Sequence, residues 1–556
     1  MRRPIAVGLI AALLLAGCAR LPTDGPVTAA TPRPVEDPGF EVIVKGPQEN
    51  ETPREIVDGF LLASRFGTGE FDSARDFLTA EAAETWEPTT SVYIYSAERE
   101  PVVAVEEDSR ISVSVNPIAV LDEDGRYQPL ADAERTADFT LVADGDGQWR
   151  IAALDDGVMI SDLTFSQTYV AAPLQFISLD ESALVPELRW YPHPNAATMV
   201  VEGLLEGPSG WLSSGVTTAF PRGTTLGPGG VRSEGSAVTV DLSADAWAAQ
   251  EHDVPMMREQ LRQSLASLAD IAVVDVTVMG QALDGAEPVQ DFTLPQSVSA
   301  PYMLQGDTLV RWINGELEVV NGSEELLAAG PRTPAIPYAE SSAPIVIVAG
   351  GTELRTVGTE TVAAATLYTG EDLVAPSYDL FDWVWTTSRI SEGTLVAASA
   401  AASPREISAT WLAGMTVRAV RVSPGGDRVA IVTSEEGVDS LNVAVVLRDI
   451  SGAPYALSDP LEIAPTLNVV HDVTWVDQTT IGALAATSAS ASAVLHLVSV
   501  GGPTRARPLL AAAESLSSAR SERSIVMVTD EGALFERTGS GWRSLASGVR
   551  DPAYSG

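Results

Sequence analysis

The chain has 556 residues, too many for one hydrophobic core, and that length implies three or four domains. Its 75 acidic residues outweigh 34 basic ones, which argues against nucleic acid or an anionic lipid surface as partner and leaves basic or zwitterionic partners open. Lys45 is the only lysine, which removes Schiff-base chemistry, a P-loop lysine and a Ser-x-x-Lys nucleophile.

Arg2 and Arg3 precede an apolar run over residues 5–15. That run is shorter than the about 20 residues a spanning helix needs, so residues 1–17 read as a signal peptide. Leu15-Ala16-Gly17-Cys18 resembles the lipobox of bacterial lipoproteins, in which the cysteine receives diacylglycerol and becomes the mature amino terminus. Cys18 is the only cysteine, so with its thiol lipidated no disulfide or thiolate site is expected. Two acyl chains, at ~0.8 kcal/mol per buried methylene, would hold the protein firmly on the outer face of the cell membrane. Cleavage leaves 32 basic against 75 acidic residues, a net charge of −43. Residues 18–50 carry prolines at 22, 26, 32, 34, 38 and 47 and read as a tether. At ~3.1 Å per residue, extended Pro-rich chain of this length reaches on the order of 100 Å.

A first domain is expected over residues 51–168. Thr52-Pro53-Arg54-Glu55 is a capping box with proline at the first helical position, and Ile56, Val57, Phe60 and Leu61 form one apolar stripe. A second helix is predicted over 71–78, then strands at 92–95, 102–105 and 111–115, the last group ending at 149–151. The stretches 122–125 and 144–147 lack the spaced ligands and closing Glu of a calcium loop and read as hairpin turns. Two helices before a curved antiparallel sheet resemble the NTF2-like cone.

A second, α+β domain is expected over 171–294. Asn195 is predicted to cap a helix carrying Met199, Val200 and Leu204 that breaks at Gly207-Pro208. Residues 237–242 read as a strand. Asp253 is predicted to cap a second helix burying Met257, Leu261, Leu265 and Leu268, with a closing strand at 271–278. Over 301–556 short strands alternate with turns, and about 40–45 residues per repeat gives about six blades of an all-β propeller. The clearest unit is residues 418–432, where two strands flank a Ser423-Pro424-Gly425-Gly426 turn, with weaker echoes at 472–484 and 524–536. Trp383 and Trp385 are expected to begin a similar pair.

The phrases Glu206-Gly207-Pro208-Ser209, 215–224 and Val238-Thr239-Val240-Asp241-Leu242-Ser243 resemble the GerMN domain. The stretch Ser423-Pro424-Gly425-Gly426-Asp427-Arg428-Val429-Ala430 resembles the blade signature of TolB-type propellers. The segment Cys18-Ala19-Arg20-Leu21-Pro22-Thr23-Asp24-Gly25-Pro26-Val27 is similar to the mature start of the actinobacterial LpqB lipoprotein family, whose full-length architecture this order of domains matches. That resemblance implies regulation rather than catalysis: contact with the extracytoplasmic sensor domain of the histidine kinase MtrB, of the MtrAB two-component system, and influence on cell-wall homeostasis and division. It carries over one functional position, Cys18, and no catalytic residue, metal or cofactor.

The residues themselves nominate little chemistry. His193, His252, His471 and His496 show no metal-ligand spacing. His471-Asp472 lacks a Gly-x-Ser-x-Gly partner and reads as a blade contact, and Asp155-Asp156 is an adjacent acid pair of the kind 75 carboxylates produce by chance. Tyr93, Tyr95 or Asp138 could line the cone if it housed acid–base chemistry. Trp312, Trp383, Trp385, Trp411, Trp475 and Trp542 read mainly as blade core, with one or two available to stack on sugar at a channel rim. The leading expectation is a membrane-tethered, non-enzymatic interaction protein. The alternatives are a cell-wall glycan or peptidoglycan sensor and, behind it, a hydrolase.

Overall fold

Local rules decide the start of the first domain. The computed structural model describes residues 45–556 apart from 66–70, 108, 132, 194, 269–270, 286–291, 293, 324–325, 327–328, 450 and 540; the signal peptide, the lipobox and most of the tether lie outside the described residues. Helix α1 (Pro53–Ser64) opens with the expected capping box: Thr52 Oγ1 accepts from the Glu55 amide at 3.4 Å, and Glu55 Oε2 accepts from the Thr52 amide at 2.8 Å. Ile56, Val57, Phe60 and Leu61 are all buried. The helix predicted over 71–78 is only a single turn, α2 (Asp72–Arg75), and a further short helix, α3 (Ala80–Thr85), follows it.

Eight strands come next: β1 (Ser91–Tyr95), β2 (Val102–Glu107), β3 (Arg110–Val115), β4 (Pro117–Asp122), β5 (Tyr127–Pro129), β6 (Arg135–Ala143), β7 (Trp149–Ala153) and β8 (Val158–Ser161). They form two four-stranded sheets rather than one curved sheet, in the orders β5-β4-β1-β8 and β2-β3-β6-β7, and β8 joins β1 in parallel. Helix α1 packs on β3, β7 and β8. Both acidic stretches are turns whose leading carboxylate is consumed locally. Asp122 Oδ1 accepts from the amides of Asp124 and Arg126 at 3.1 and 2.8 Å, and Asp144 Oδ1 accepts from those of Asp146 and Gln148 at 2.9 Å each.

Helix α4 (Asp162–Thr168), capped by Ser161, leads into the second domain. One sheet there runs β10-β9-β11, from β9 (Tyr169–Ser178), β10 (Leu184–Pro192) and β11 (Val216–Thr217). The other runs β12-β13-β14-β15, from β12 (Leu226–Glu234), β13 (Ala237–Leu242), β14 (Val273–Val278) and β15 (Gln281–Ala282). Strands β13 and β14 are parallel, so a crossover must join them, and helix α6 (Asp253–Leu265) lies in that connection. Helix α5 (Ala196–Glu206) packs on α6, β9 and β12. Two capping expectations need correction. Asn195 does occupy the cap position, but at φ +64 and with no side-chain cap bond. Asp253 is the first helical residue rather than the cap; its Oδ2 reaches back to the Gln250 amide at 2.8 Å. Met257, Leu261 and Leu265 are fully buried, whereas Leu268 lies past the helix end and packs at the core margin.

The Asp of the Val-Thr-Val-Asp phrase has a structural task. Asp241 is buried and accepts from Thr277 Oγ1 and the Gly280 amide at 2.7 Å and from the Gly229 amide at 2.8 Å. A Cβ at Gly229 would come within 2.8 Å of Asp241, which is why β12 carries glycine where it bulges past β13. Burial by itself raises the Asp241 pKa, but the three hydrogen bonds and Arg232 outweigh it and the net shift is downward. Its contribution to stability is therefore complete above the unfolded value of about 3.9 and is lost as pH falls through and below it. Asp241→Asn is expected to cost about 1–3 kcal/mol at pH 7, because an amide nitrogen then faces a backbone donor. Urea unfolding at neutral and strongly acid pH checks this: the deficit should shrink in acid, and a pH-independent deficit would contradict the assignment.

Among the described residues, those from 302 onward form six blades, the third and fourth joined into one sheet by the pairing of Ser408 with Ala456. The innermost strands of blades 2 to 6 are Pro331–Ala335, Ser377–Tyr378, Thr416–Val422, Val469–Trp475 and Ala513–Ser518. Blade 1 combines Tyr302–Gln305, Thr308–Ile313 and Glu316–Val319 with Arg550–Ala553, which pairs Tyr302 with Ala553 and Leu304 with Arg550. This closure of the ring covers a sheet edge that would otherwise be free to pair. The 418–432 unit joins the innermost and second strands of blade 4, and 472–484 is its counterpart in blade 5. The 524–536 echo is not equivalent, since it joins the second and third strands of blade 6. Trp383 and Trp385 belong to the turn and second strand of blade 3, after an innermost strand that the sequence did not reveal.

Candidate functional site: domain junctions and propeller axis

The residues nominated for chemistry do not converge. His193, His252 and His471 are exposed and sit on separate elements, and His252 lies 3.0 Å from the Asp253 carboxylate. His496 is buried, and burial pushes its pKa down. Asp472 turns away from a triad role: Arg421 Nη2 donates to its Oδ1 at 3.2 Å. Asp155 pairs with Arg135 at 2.9 Å, while Asp156 accepts from the Glu87 amide at 2.8 Å. Among the described residues no group of three or more His, Cys, Asp or Glu is gathered as a metal site.

The first domain also separates its candidates. Tyr93 lines a small cavity with Phe60, Phe139 and Met159, and the Arg135 guanidinium lies 5.0 Å over its ring. Tyr95 is buried and its hydroxyl accepts from Arg65 at 3.4 Å. Asp138 is exposed on β6 and does not join them. In the propeller, Trp383, Trp385 and Trp475 are buried, and Trp312, Trp411 and Trp542 are half-buried against blade cores. Trp475 borders the axial cavity, but its Nε1 is spent on the Arg421 carbonyl at 2.9 Å. Trp247, the exposed tryptophan among the described residues, belongs to the second domain. A rim of aromatic rings for stacking sugar is therefore not what these side chains build.

What they build is a set of junctions. Trp190 of β10 touches all three domains. Its amide donates to the Gly125 carbonyl at 2.8 Å, in the turn after β4, and its ring meets Tyr127 and Phe165 at centroid distances of 6.3 and 4.9 Å. Its Nε1 donates to the Gly501 carbonyl in blade 5 at 3.0 Å. Gly501, at φ +84, lies so close to Leu188 that a Cβ would sit 3.0 Å from the Leu188 carbonyl oxygen. Beside this contact Arg126 reaches Glu206 at 3.5 Å across the first junction.

Arg428 makes the second junction. It is almost wholly buried; its Nε donates to Asp427 at 2.9 Å, Nη1 to the Pro186 carbonyl of β10 at 3.0 Å, and Nη2 to the Gln478 carbonyl of blade 5 at 2.8 Å. The adjoining Ser423 hydroxyl donates to Asp427 at 2.8 Å and accepts from the Arg428 amide at 3.0 Å, so the Ser-Pro-Gly-Gly turn holds this arginine in place. Val445 of blade 4 enters the core of the second domain, and Trp211 packs on the cores of both. The sequence marked Arg428 as a blade signature and missed its reach; nothing in the sequence marked Trp190.

On the axis, the innermost strands surround a cavity of about 80 Å³ lined by residues that include Thr333, Arg421, Asp472, Thr474, Arg520 and Asp551. Asp472 Oδ2 also accepts from the Leu516 amide at 3.0 Å, so one carboxylate ties blades 4, 5 and 6. Burial raises its pKa, with Arg421 acting against that.

Comparison with known proteins agrees with this three-part body. Residues 46–166 match the family model described as Lipoprotein LpqB, N-terminal domain; residues 169–284 match that for sporulation and spore germination; residues 307–555 match the Lipoprotein LpqB beta-propeller domain. Lipoprotein LpqB of Cutibacterium acnes is 26% identical over 515 residues, covering 84% of each chain. That of Streptomyces coelicolor is 27% identical over 536 residues, covering 85% of each. That of Streptomyces avermitilis is 24% identical over 594 residues, covering 98% of this chain and 97% of the other. With its N-terminal domain, GerMN-like domain and propeller in the same order, the chain belongs to the LpqB lipoprotein family.

Proposed function

We propose that this protein is a lipid-anchored, extracytoplasmic interaction protein without an active site of its own, and that its partner is the external sensor domain of the histidine kinase MtrB. The supporting observation is the junction architecture. Buried Arg428 and the three-way contact of Trp190 hold the three domains as one body, while the histidines stay apart. Such a body presents a fixed surface to a partner at little ordering cost. Lipid on Cys18 anchors it, and the Pro-rich tether sets its distance from the bilayer.

Two measurements test the reading. The full chain in detergent, titrated with the kinase's external domain, should associate at micromolar concentration or below, and deletion should alter kinase signalling. No association together with unchanged signalling would refute the partner. Cys18→Ala should leave the domains folded but abolish lipid labelling, and should either release the protein from the membrane or leave its signal peptide attached. Labelling equal to that of the parent would refute the anchor.

A further inference from the structure

The axial cavity has a lining that propeller packing does not require. Arg421 from blade 4 and Arg520 just past the innermost strand of blade 6 bring two guanidinium groups to its wall. Asp472 from blade 5 and Asp551 from the closing strand bring two carboxylates, and Thr333 and Thr474 add hydroxyls. Arg421 and Asp472 keep 18% and 14% of their side-chain surface open, so the pair faces the cavity instead of being sealed in core. Taking such charges out of bulk water is costly, and an apolar pair of similar volume would tie the blades at least as well.

Backbone strain points to the same place. Thr333 stands at φ +41 and Asp551 at φ +51, and the Thr333 amide donates to Asp551 Oδ2 at 3.3 Å. A β-branched residue in the left-handed region is a genuine outlier. The innermost strands of the other four blades hold no non-glycine residue at positive φ. Other non-glycine residues at positive φ occur in the propeller, but Thr333, Asp551 and Arg520, at φ +69, all line this one charged cavity, and strain gathered there is the pattern of a ligand clamp.

The charges decide the class of ligand. Arg421 already pairs with Asp472 and Arg550 with Asp551, so the cavity wall is electrically balanced before any ligand enters. An anion alone or a cation alone would upset that balance, whereas a small molecule with both charges preserves it. The volume, room for roughly five to eight waters, suits the smallest amino acids. We propose that the propeller axis is a binding site for a small zwitterion of the amino-acid class, its carboxylate toward Arg421 and Arg520 and its ammonium toward Asp472 and Asp551. Arg520 gives the site a line to the rest of the molecule: it also donates to the Pro295 carbonyl, in the segment that enters the propeller, and lies 4.5 Å over the Tyr338 ring.

The test is calorimetric titration of the full chain in detergent with glycine, L-alanine and D-alanine, with propionate and ethylammonium as single-charge controls. At least one amino acid should bind saturably at one site per chain, about tenfold or more tighter than either control. Arg421→Met and Asp472→Asn should each weaken it by about tenfold or more. Because those residues also tie blades together, Ala375→Leu, which adds apolar volume at the wall and replaces no charged side chain, should abolish binding while thermal unfolding stays as in the parent. Absence of saturable binding by all three amino acids, equal binding of propionate or ethylammonium, or undiminished binding in a folded Ala375→Leu protein would overturn the proposal.

Discussion

Arg428→Met is expected to destabilise the full chain by about 3–5 kcal/mol and to let the second domain and the propeller unfold separately. The substitution keeps the apolar stem but leaves the Asp427 carboxylate buried without its cation. It also strips the Pro186 and Gln478 carbonyls of the donor that joins the second domain to blades 4 and 5. Removing one partner of a buried charge pair costs more than the pair's net worth, because the remaining charge has lost its hydration and gained nothing. Chemical denaturation followed by two probes, one in each domain, measures both parts of the prediction. Arg405→Met is the matched control. Its pairing with Asp449 at 3.2 Å is exposed on both sides, so the loss should stay within about 0–1 kcal/mol. If the two variants lost similar stability, Arg428 would not be the clamp its geometry describes.

Trp190→Ala should cost about 3 kcal/mol, the low end for removing a large aromatic side chain because this one is only half-buried. Its distinctive effect should be on domain coupling. The ring contacts with Tyr127 and Phe165 and the bond to Gly501 disappear together, so the first domain loses its registration on the other two. Limited proteolysis should then cut near helix α4, residues 162–168, faster than in the parent. Trp190→Phe separates the terms: it restores most ring contact but not the Nε1 donor, and should cost about 1 kcal/mol. Unchanged cleavage in Trp190→Ala would show that the first domain is held by other contacts.

The sequence by itself determined whatever rests on short-range chemistry. The capping box at Thr52 and Glu55, the apolar stripe of α1, the alternation of the strand at 237–242 and the Ser-Pro-Gly-Gly turn are each written in the spacing of neighbouring residues, so spacing alone reveals them even where their packing partners lie far along the chain. Capping at Asn195 and Asp253 was misread because those residues do stand at helix starts, yet tertiary packing left their side chains other conformations or partners. Only the tertiary structure decided the junctions and the axis. Trp190 finds Gly501 across 311 positions, Arg428 finds Pro186 across 242, and Arg421 meets Asp472 because two innermost strands happen to be neighbours on the ring. A side chain's reach across a domain boundary leaves no periodicity behind, since it depends on which surfaces the finished domains bring together.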